Sequence, residues 1–308
     1  MPDDGRCRSA AEQFWDVILK ILVTGGQGFT GRVFAAAAAN DGHEVQLLTA
    51  DLLDRQSISR ELELKQPDAV VHLAAISFVG HGDANAFYSV NVIGTMQLLD
   101  AIADMKQTPQ RVLLASSANV YGNYTCASIT EESPTTPVNH YAMSKLAMEH
   151  MAKTRLDRIP LFITRPFNYT GRGQASSFVI PKLVEHFSQR KSLVKIGNMN
   201  IEREFNDVRM VCVAYLRLLS SGVIGETYNI CTGITYTLGQ VLELLTDLTG
   251  HKLVAETDPQ FVRASEIGRL TGSPEKLLRA VGTLPAFDLK QTLSWMLSAD
   301  EKRILPHG

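Results

Sequence analysis

The sequence predicts an α/β fold: a doubly wound parallel sheet carrying a smaller C-terminal α/β lobe. Three observations lead there. Short apolar, β-branched runs alternate with helical stretches through the first half; a glycine-rich turn directly follows the first run; and the alternation breaks down after Arg165.

Val17 to Val23 is apolar and β-branched, as a strand buried on both faces should be. Arg32 to Asn40 holds five consecutive alanines, Ala35 to Ala39; alanine favours helix and lets it lie close to a sheet. Glu44 to Leu48 reads as a strand, Arg55 to Leu64 as a helix and Ala69 to Leu73 as a strand. Between Leu48 and Asp51 the usual excursion after a second strand has no room. One long helix is expected over Tyr88 to Met105, then strand Arg111 to Ala115, helix Tyr141 to Arg155 and strand Leu161 to Arg165.

Pro166 to Gln174 is rich in Gly, Asn and Pro and reads as a functional loop. Helices over Ile180 to Gln189, Leu238 to Thr249 and Pro274 to Ala280 follow, mixed with short strands such as Thr227 to Ile230. The expected organisation is an extension over residues 1–16, a dinucleotide domain over 17–170 completed by part of 206–232, and a lobe from 171–205 and 233–308.

Composition bounds the function. With 308 residues, 45% hydrophobic and 20% charged, the chain can build a large core, and a net charge of -2 offers nothing to a polyanion or a membrane surface. No apolar run reaches the roughly 20 residues that span a bilayer, and residues 1–16 lack the apolar centre of a signal peptide. Cys7, Cys126, Cys212 and Cys231 are widely spaced and form neither a disulfide framework nor a metal motif. The expectation is a cytoplasmic protein with reduced thiols, no metal, no nucleic-acid partner and no membrane partner.

Thr24-Gly25-Gly26-Gln27-Gly28-Phe29-Thr30-Gly31 lies between strand and helix. Glycine serves where backbone turns tightly or approaches a pyrophosphate, and the helix start then offers free N–H groups to phosphate. Three glycines alone mark many turns; this context points to a Rossmann-type dinucleotide site. Tyr141 and Lys145 stand four apart on one helical face. A nearby ammonium favours phenolate and should move Tyr141 toward useful acid–base values. Ser116-Ser117 ends a strand, where ligands of such folds sit, and a hydroxyl there can donate to a carbonyl oxygen as charge develops. Either serine alone could equally cap a loop; the order of glycine turn, serine pair and YxxxK favours catalysis.

TGGQGFTG, DLLD (51–54), VHLAA (71–75), NVIGT (91–95), SSANVYG (116–122), YAMSK (141–145) and RPFN (165–168) occur in that order. Together they resemble the extended short-chain dehydrogenase/reductase family of nucleotide-sugar enzymes. That resemblance implies catalysis by Ser117, Tyr141 and Lys145. It also implies NADPH or NADH held by Gly25, Gly28, Phe29, Thr30, Arg32, Asp51, Leu52, Leu73, Ala74, Ala75, Tyr141, Lys145 and Pro166.

RPFNYTGRGQ (165–174), SFVIPKL (177–183), EREFNDV (202–208) and VRASEIGRLTGSPEKL (262–277) are similar to the branch reducing GDP-4-dehydro-6-deoxy-D-mannose. The similarity implies a GDP-linked substrate at Ser77, Val79, Asn119, Asn168, Val179, Arg203, Arg263 and Glu266, and a homodimer. Arginines suit the diphosphate through charge-assisted hydrogen bonds; Ala264 stands where the family commonly has proline. Dehydratases of the family carry acidic residues where this chain has Ala118 and Asn119, so reduction of a C4 ketone is expected. An epimerase that retains NAD, a dTDP-sugar reductase and a non-catalytic dinucleotide sensor are the alternatives. Thr49-Ala50 offers no carboxylate to a ribose, Arg32 suits a 2′-phosphate or equally a solvated helix face, and reductive biosynthesis favours NADPH. The dimer is expected through Tyr88 to Met105 and Tyr141 to Arg155, with Ala142, Leu146, Ala147 and Met151 as an apolar stripe that core packing explains equally well.

Overall fold

The computed structural model describes residues 18–78, 82–124, 126–261 and 267–298. Residues 1–16, Val79, Arg263, Ala264 and Glu266 lie outside them. The main sheet is six-stranded and parallel, in the order β10-β5-β4-β3-β1-β2. Its strands are β1 (Lys20–Thr24), β2 (Glu44–Leu47), β3 (Ala69–His72), β4 (Arg111–Ala115), β5 (Leu161–Pro166) and β10 (Thr227–Ile230).

β2 forms one edge, and the chain then crosses β1 through helix α2 (Arg55–Lys65) to enter β3. The shortness noted after Leu48 is thus resolved by a direct crossover. The winding direction reverses between β1 and β3, so their carboxyl ends, at Thr24 and His72, flank the crevice where such sheets bind ligands.

Each face of the sheet is covered. Helices α1 (Phe29–Asn40) and α7 (Val208–Ser221) bury Val33, Phe34, Val211 and Tyr215 on one side. On the other, α2, α4 (Thr95–Ala103) and α5 (His140–Lys153) bury Ile58, Leu62, Leu98, Ile102 and Ala152. A separate core lies among α6 (Val179–Ser188), β7 (Leu193–Ile196), α8 (Leu238–Thr249) and α10 (Leu289–Leu297). Smaller pairings complete the lobe: β8 (Glu202–Glu204) lies between β11 (Thr235–Thr237) and β13 (Arg269–Leu270), and β12 (Val254–Thr257) pairs with β7.

The long helix expected over Tyr88 to Met105 is instead three segments. α3 (Ala84–Tyr88) is capped by the Asp83 carboxylate, a π turn spans Ser89–Gly94, and α4 ends at Ala103. The side chain of Asn91 gives the reason. Its amide accepts from Ile76 N–H at 2.9 Å and donates to the Ile76 carbonyl at 3.1 Å, pairing with the segment after β3 as a neighbouring strand would. Hydrophobic periodicity does not report such an inserted residue; π turns occur mostly as single insertions near functional sites.

Candidate active site

The glycine turn is built to carry backbone close to backbone. Gly25 has φ +67°, and a Cβ there would meet Ala74 N at 2.7 Å. At Gly31 a Cβ would lie 2.2 Å from the Gly25 carbonyl, so helix α1 rests directly on the turn. Gly28 caps α1 without a side-chain hydrogen bond to the first-turn N–H groups. This is donor chemistry that fits a pyrophosphate, and the residues present therefore fit a dinucleotide.

A buried polar chain fixes the neighbouring strand ends. Ala74 N–H donates to Thr24 Oγ1 (3.1 Å), which lies 2.7 Å from His72 Nδ1; His72 Nε2 lies 2.8 Å from Thr95 Oγ1. Because Thr95 donates its hydroxyl to the Asn91 carbonyl, it must accept from His72, which assigns the Nε2–H tautomer. Burial, followed by the nearby Lys145 charge, depresses the His72 pKa to about 3, so the ring is neutral.

At the end of β4, Ser117 caps a 3-10 turn (Ala118–Tyr121) and accepts from Asn119 N–H (3.2 Å) and Asn119 Nδ2 (3.1 Å). Both contacts fill acceptor positions on Oγ and leave its proton to be donated. Tyr141 is 7% exposed, and its phenol lies near enough to Ser117 for the serine side chain to act on its acidity. Lys145, one turn further along α5, donates to the Ala115 carbonyl at 2.7 Å. The three groups are brought together at the carboxyl end of β4.

The electrostatics differ from the simple expectation. Burial raises the Tyr141 pKa, only partly offset by the Ser117 hydrogen bond. Lys145 is held at the Ala115 carbonyl, and its own pKa is lowered by burial to about 8, with Glu149 acting in the opposite sense. Desolvation thus outweighs the charge pairing that YxxxK spacing suggests.

The other expected cofactor residues divide. Leu73 and Ala74 adjoin Gly25, Ala75 follows them, and Pro166 ends β5 in register with Ile230. Phe29 stacks on Tyr169, whose hydroxyl meets Thr30 Oγ1 at 2.8 Å. Arg32 donates to the carbonyls of Gln27 (2.7 Å) and Gly173 (3.2 Å), which places it at the start of α1 beside the glycine turn and ties α1 to the loop that opens the lobe. Asp51 is exposed and its carboxylate accepts from Leu53 N–H; Leu52 packs where a Cβ on Gly94 would meet it at 2.9 Å.

Of the expected substrate residues, Ser77 is exposed beside Phe78, whose ring meets Phe178 edge-on at 5.8 Å, next to Val179 at the start of α6. Asn168 is exposed at the end of β5. Arg203 donates to the carbonyls of Glu202 (2.8 Å), Gly268 (3.3 Å) and Ile267, bracing backbone. Sequence reading passed over His72, Asn91, Glu149 and Arg165 as individuals, although each lies inside a quoted motif or one turn beyond it. For His72 and Arg165 the available signal is a polar residue inside an otherwise apolar strand; Asn91 and Glu149 lie on helical turns, where no such contrast marks them.

The comparisons agree with this architecture. Residues 32–296 match the GDP-mannose 4,6 dehydratase family. The GDP-6-deoxy-D-talose 4-dehydrogenase of Aggregatibacter actinomycetemcomitans is 36% identical, over 86% of this chain and 92% of its own. The GDP-6-deoxy-D-mannose reductase of Pseudomonas aeruginosa is 34% identical, over 92% and 98%. The solved structure of RMD from Pseudomonas aeruginosa complexed with NADPH superposes with a TM-score of 0.83 at 33% identity, covering 91% of this chain and 96% of that one. The chain belongs to the GDP-mannose 4,6-dehydratase family of NAD(P)-dependent short-chain dehydrogenase/reductase enzymes.

Proposed function

We propose that the protein reduces the C4 ketone of a GDP-linked 4-keto-6-deoxyhexose, using NADPH. The observation that carries this reading is the loop after β4. Ser117, Tyr141 and Lys145 converge there, while Ala118 and Asn119 supply no titrating group for the removal of water. Both relatives' names specify a GDP-6-deoxyhexose, and one names position 4.

A reduced nicotinamide, when bound, supplies the hydride. Ser117 donates a hydrogen bond to the C4 oxygen as negative charge grows on it. Tyr141, kept protonated by burial, gives its proton to that oxygen and becomes a phenolate. The Lys145 ammonium stabilises that anion and, with the cofactor bound, would anchor the nicotinamide ribose. Gly25, Gly28 and the first turn of α1 would hold the pyrophosphate, with Phe29, Thr30, Arg32, Asp51, Leu52, Leu73, Ala74, Ala75 and Pro166 around the remainder. Residues 171–205 and 233–308, with Ser77, Val79, Asn119, Asn168, Val179, Arg203, Arg263 and Glu266, form the nucleotide-sugar side.

We assign the protein to the cytoplasm; among the described residues no helix is long and apolar enough to cross a membrane. For a homodimer, Ala142 is core and Leu146 and Met151 pack inward. The outward face of α5 is Met143, Ala147 and His150, beside exposed Ile93, and this is the surface we assign to the partner subunit.

The test is to incubate purified protein with GDP-4-dehydro-6-deoxy-D-mannose and NADPH and identify the product by NMR. Stoichiometric oxidation of NADPH with a new C4 hydroxyl is expected. Cofactor left unconsumed would overturn the reading.

A further inference from the structure

Two charged side chains behind the catalytic set have no part in the proton transfer. Glu149 is 1% exposed and Arg165 5% exposed. Arg165 donates from Nε to Glu149 Oε1 at 3.0 Å and from Nη2 to Oε2 at 2.6 Å, a bidentate pair. Glu149 Oε1 also accepts from Ser116 Oγ at 2.5 Å. The second arm of Arg165 donates to Tyr121 Oη at 2.9 Å, and Tyr121 donates to Asn229 Oδ1 at 2.7 Å on β10. The pair is therefore fixed from β5, β10 and the turn after β4.

Lys145 and Glu149 are one turn apart on α5 and grip adjacent residues at the tip of β4: Lys145 through the Ala115 carbonyl, Glu149 through the Ser116 hydroxyl. The next residue is Ser117. A buried ion pair is weak evidence for stability, because apolar residues of similar volume often serve as well. Its place against the β4 tip calls for another reason.

We propose that Glu149, oriented by Arg165, is a positioning residue for the reduction: it sets a carboxylate one turn from Lys145 as its counter-charge and holds Ser116 so that Ser117 faces Tyr141. The inference rests on the reductase reading above for its kinetic consequence, but not for its electrostatic one.

The titratable groups around Lys145 support it. His72 of β3 is neutral, and Tyr141 of α5 is kept protonated by burial, as are Tyr169 of β6 (Tyr169–Thr170) and Tyr215 of α7 beyond it. Arg165 of β5 is cationic and committed to Glu149. Glu149 is the charge that favours the Lys145 ammonium against burial. Without it Lys145 would give up its proton at lower pH, and the phenolate formed when Tyr141 gives up its proton would lose part of its counter-charge.

Two readouts test this in full-length protein. In the first, lysine is labelled with 13C at the ε position, the Lys145 signal is assigned with Lys145→Arg, and its titration is followed in wild type and Glu149→Gln. In the second, kcat is measured against pH with GDP-4-dehydro-6-deoxy-D-mannose and NADPH. Glu149→Gln should move the Lys145 titration and the basic limb of kcat downward together by about one pH unit or more. The loss should be roughly tenfold at pH 8 and small at pH 6; a merely structural defect would depress kcat equally at both. If Glu149→Gln does not fold, the double replacement Glu149→Met/Arg165→Met, which exchanges the pair for apolar volume, gives the same readout. An unmoved Lys145 titration in either folded variant overturns the proposal. An absence of turnover in wild type with a moved titration would instead sink the reductase reading and leave the electrostatic role standing.

Discussion

Asn91 donates from Nδ2 to Ser144 Oγ across 3.0 Å, and Ser144 Oγ–H donates to the Tyr141 carbonyl at 2.8 Å. The π turn after β3 is thereby joined to the helix that carries the catalytic phenol. Asn91→Ala should leave Ser144 and both backbone groups of Ile76 short of a partner. A loss of about 1–3 kcal/mol is expected for such buried groups, read from urea unfolding. An unchanged urea midpoint would mean that water or rearrangement replaces the amide.

Tyr141→Phe removes one hydroxyl from a site whose packing stays filled. Turnover should fall by about 10²-fold or more, since positioned proton transfer contributes at least that much. NADPH affinity and thermal midpoint should stay close to wild type. Near-normal turnover would remove Tyr141 from the chemistry.

GDP-mannose itself should pass through unchanged with NAD or NADP. Dehydration needs a base for the C5 proton and an acid for the departing hydroxyl, and Asn119, its amide directed at Ser117 Oγ, does not titrate. Appearance of a 4-keto product from GDP-mannose would show that a carboxylate elsewhere performs this step.

His72 gives the fold a pH dependence of known sign. Its pKa falls from 6.5 to about 3 on folding. Between these values the unfolded chain binds a proton that the folded chain does not, so stability rises with pH and is lost on acidification. The slope is about 1.4 kcal/mol per pH unit across that window. His72→Gln should flatten it, as judged by urea midpoints at pH 4.5 and 6.5; equal slopes in the two proteins would contradict the assignment of a neutral buried ring.

Gly31→Ala should weaken NADPH binding strongly. Its Cβ would lie 2.2 Å from the Gly25 carbonyl, which cannot yield without lifting α1 off the turn. Fluorescence titration of NADPH reads this directly, and an affinity within twofold of wild type would exclude the close approach as a requirement.

Much of this was legible in the residues. Each strand of the main sheet announces itself as an apolar run bounded by turn residues, and TGGQGFTG and YAMSK are fixed by local chemistry that leaves few other sequences possible. What escaped depends on distance along the chain. Arg165 meets Glu149 across 16 positions and Asn91 meets Ser144 across 53, so no window of sequence contains either pair. The contact of Arg32 with the Gly173 carbonyl, 141 residues away, is hidden for the same reason. Ala142 and Met151 read as surface because periodicity reveals an apolar face without saying what covers it.

The π turn over Ser89–Gly94 makes this site sensitive to chain length. One surplus residue is wound into a helix whose two ends are pinned separately, Asn91 to Ile76 and Thr95 to His72. Deleting a single residue there would restore a regular helix and rotate one end against the other by about 100°. Asn91 and Thr95 could not then keep both partners. Substitutions at Val90 or Val92 should accordingly be far better tolerated than the loss of either, and a one-residue deletion scan, scored by NADPH binding in protein that still folds, would show the count to matter more than the identity.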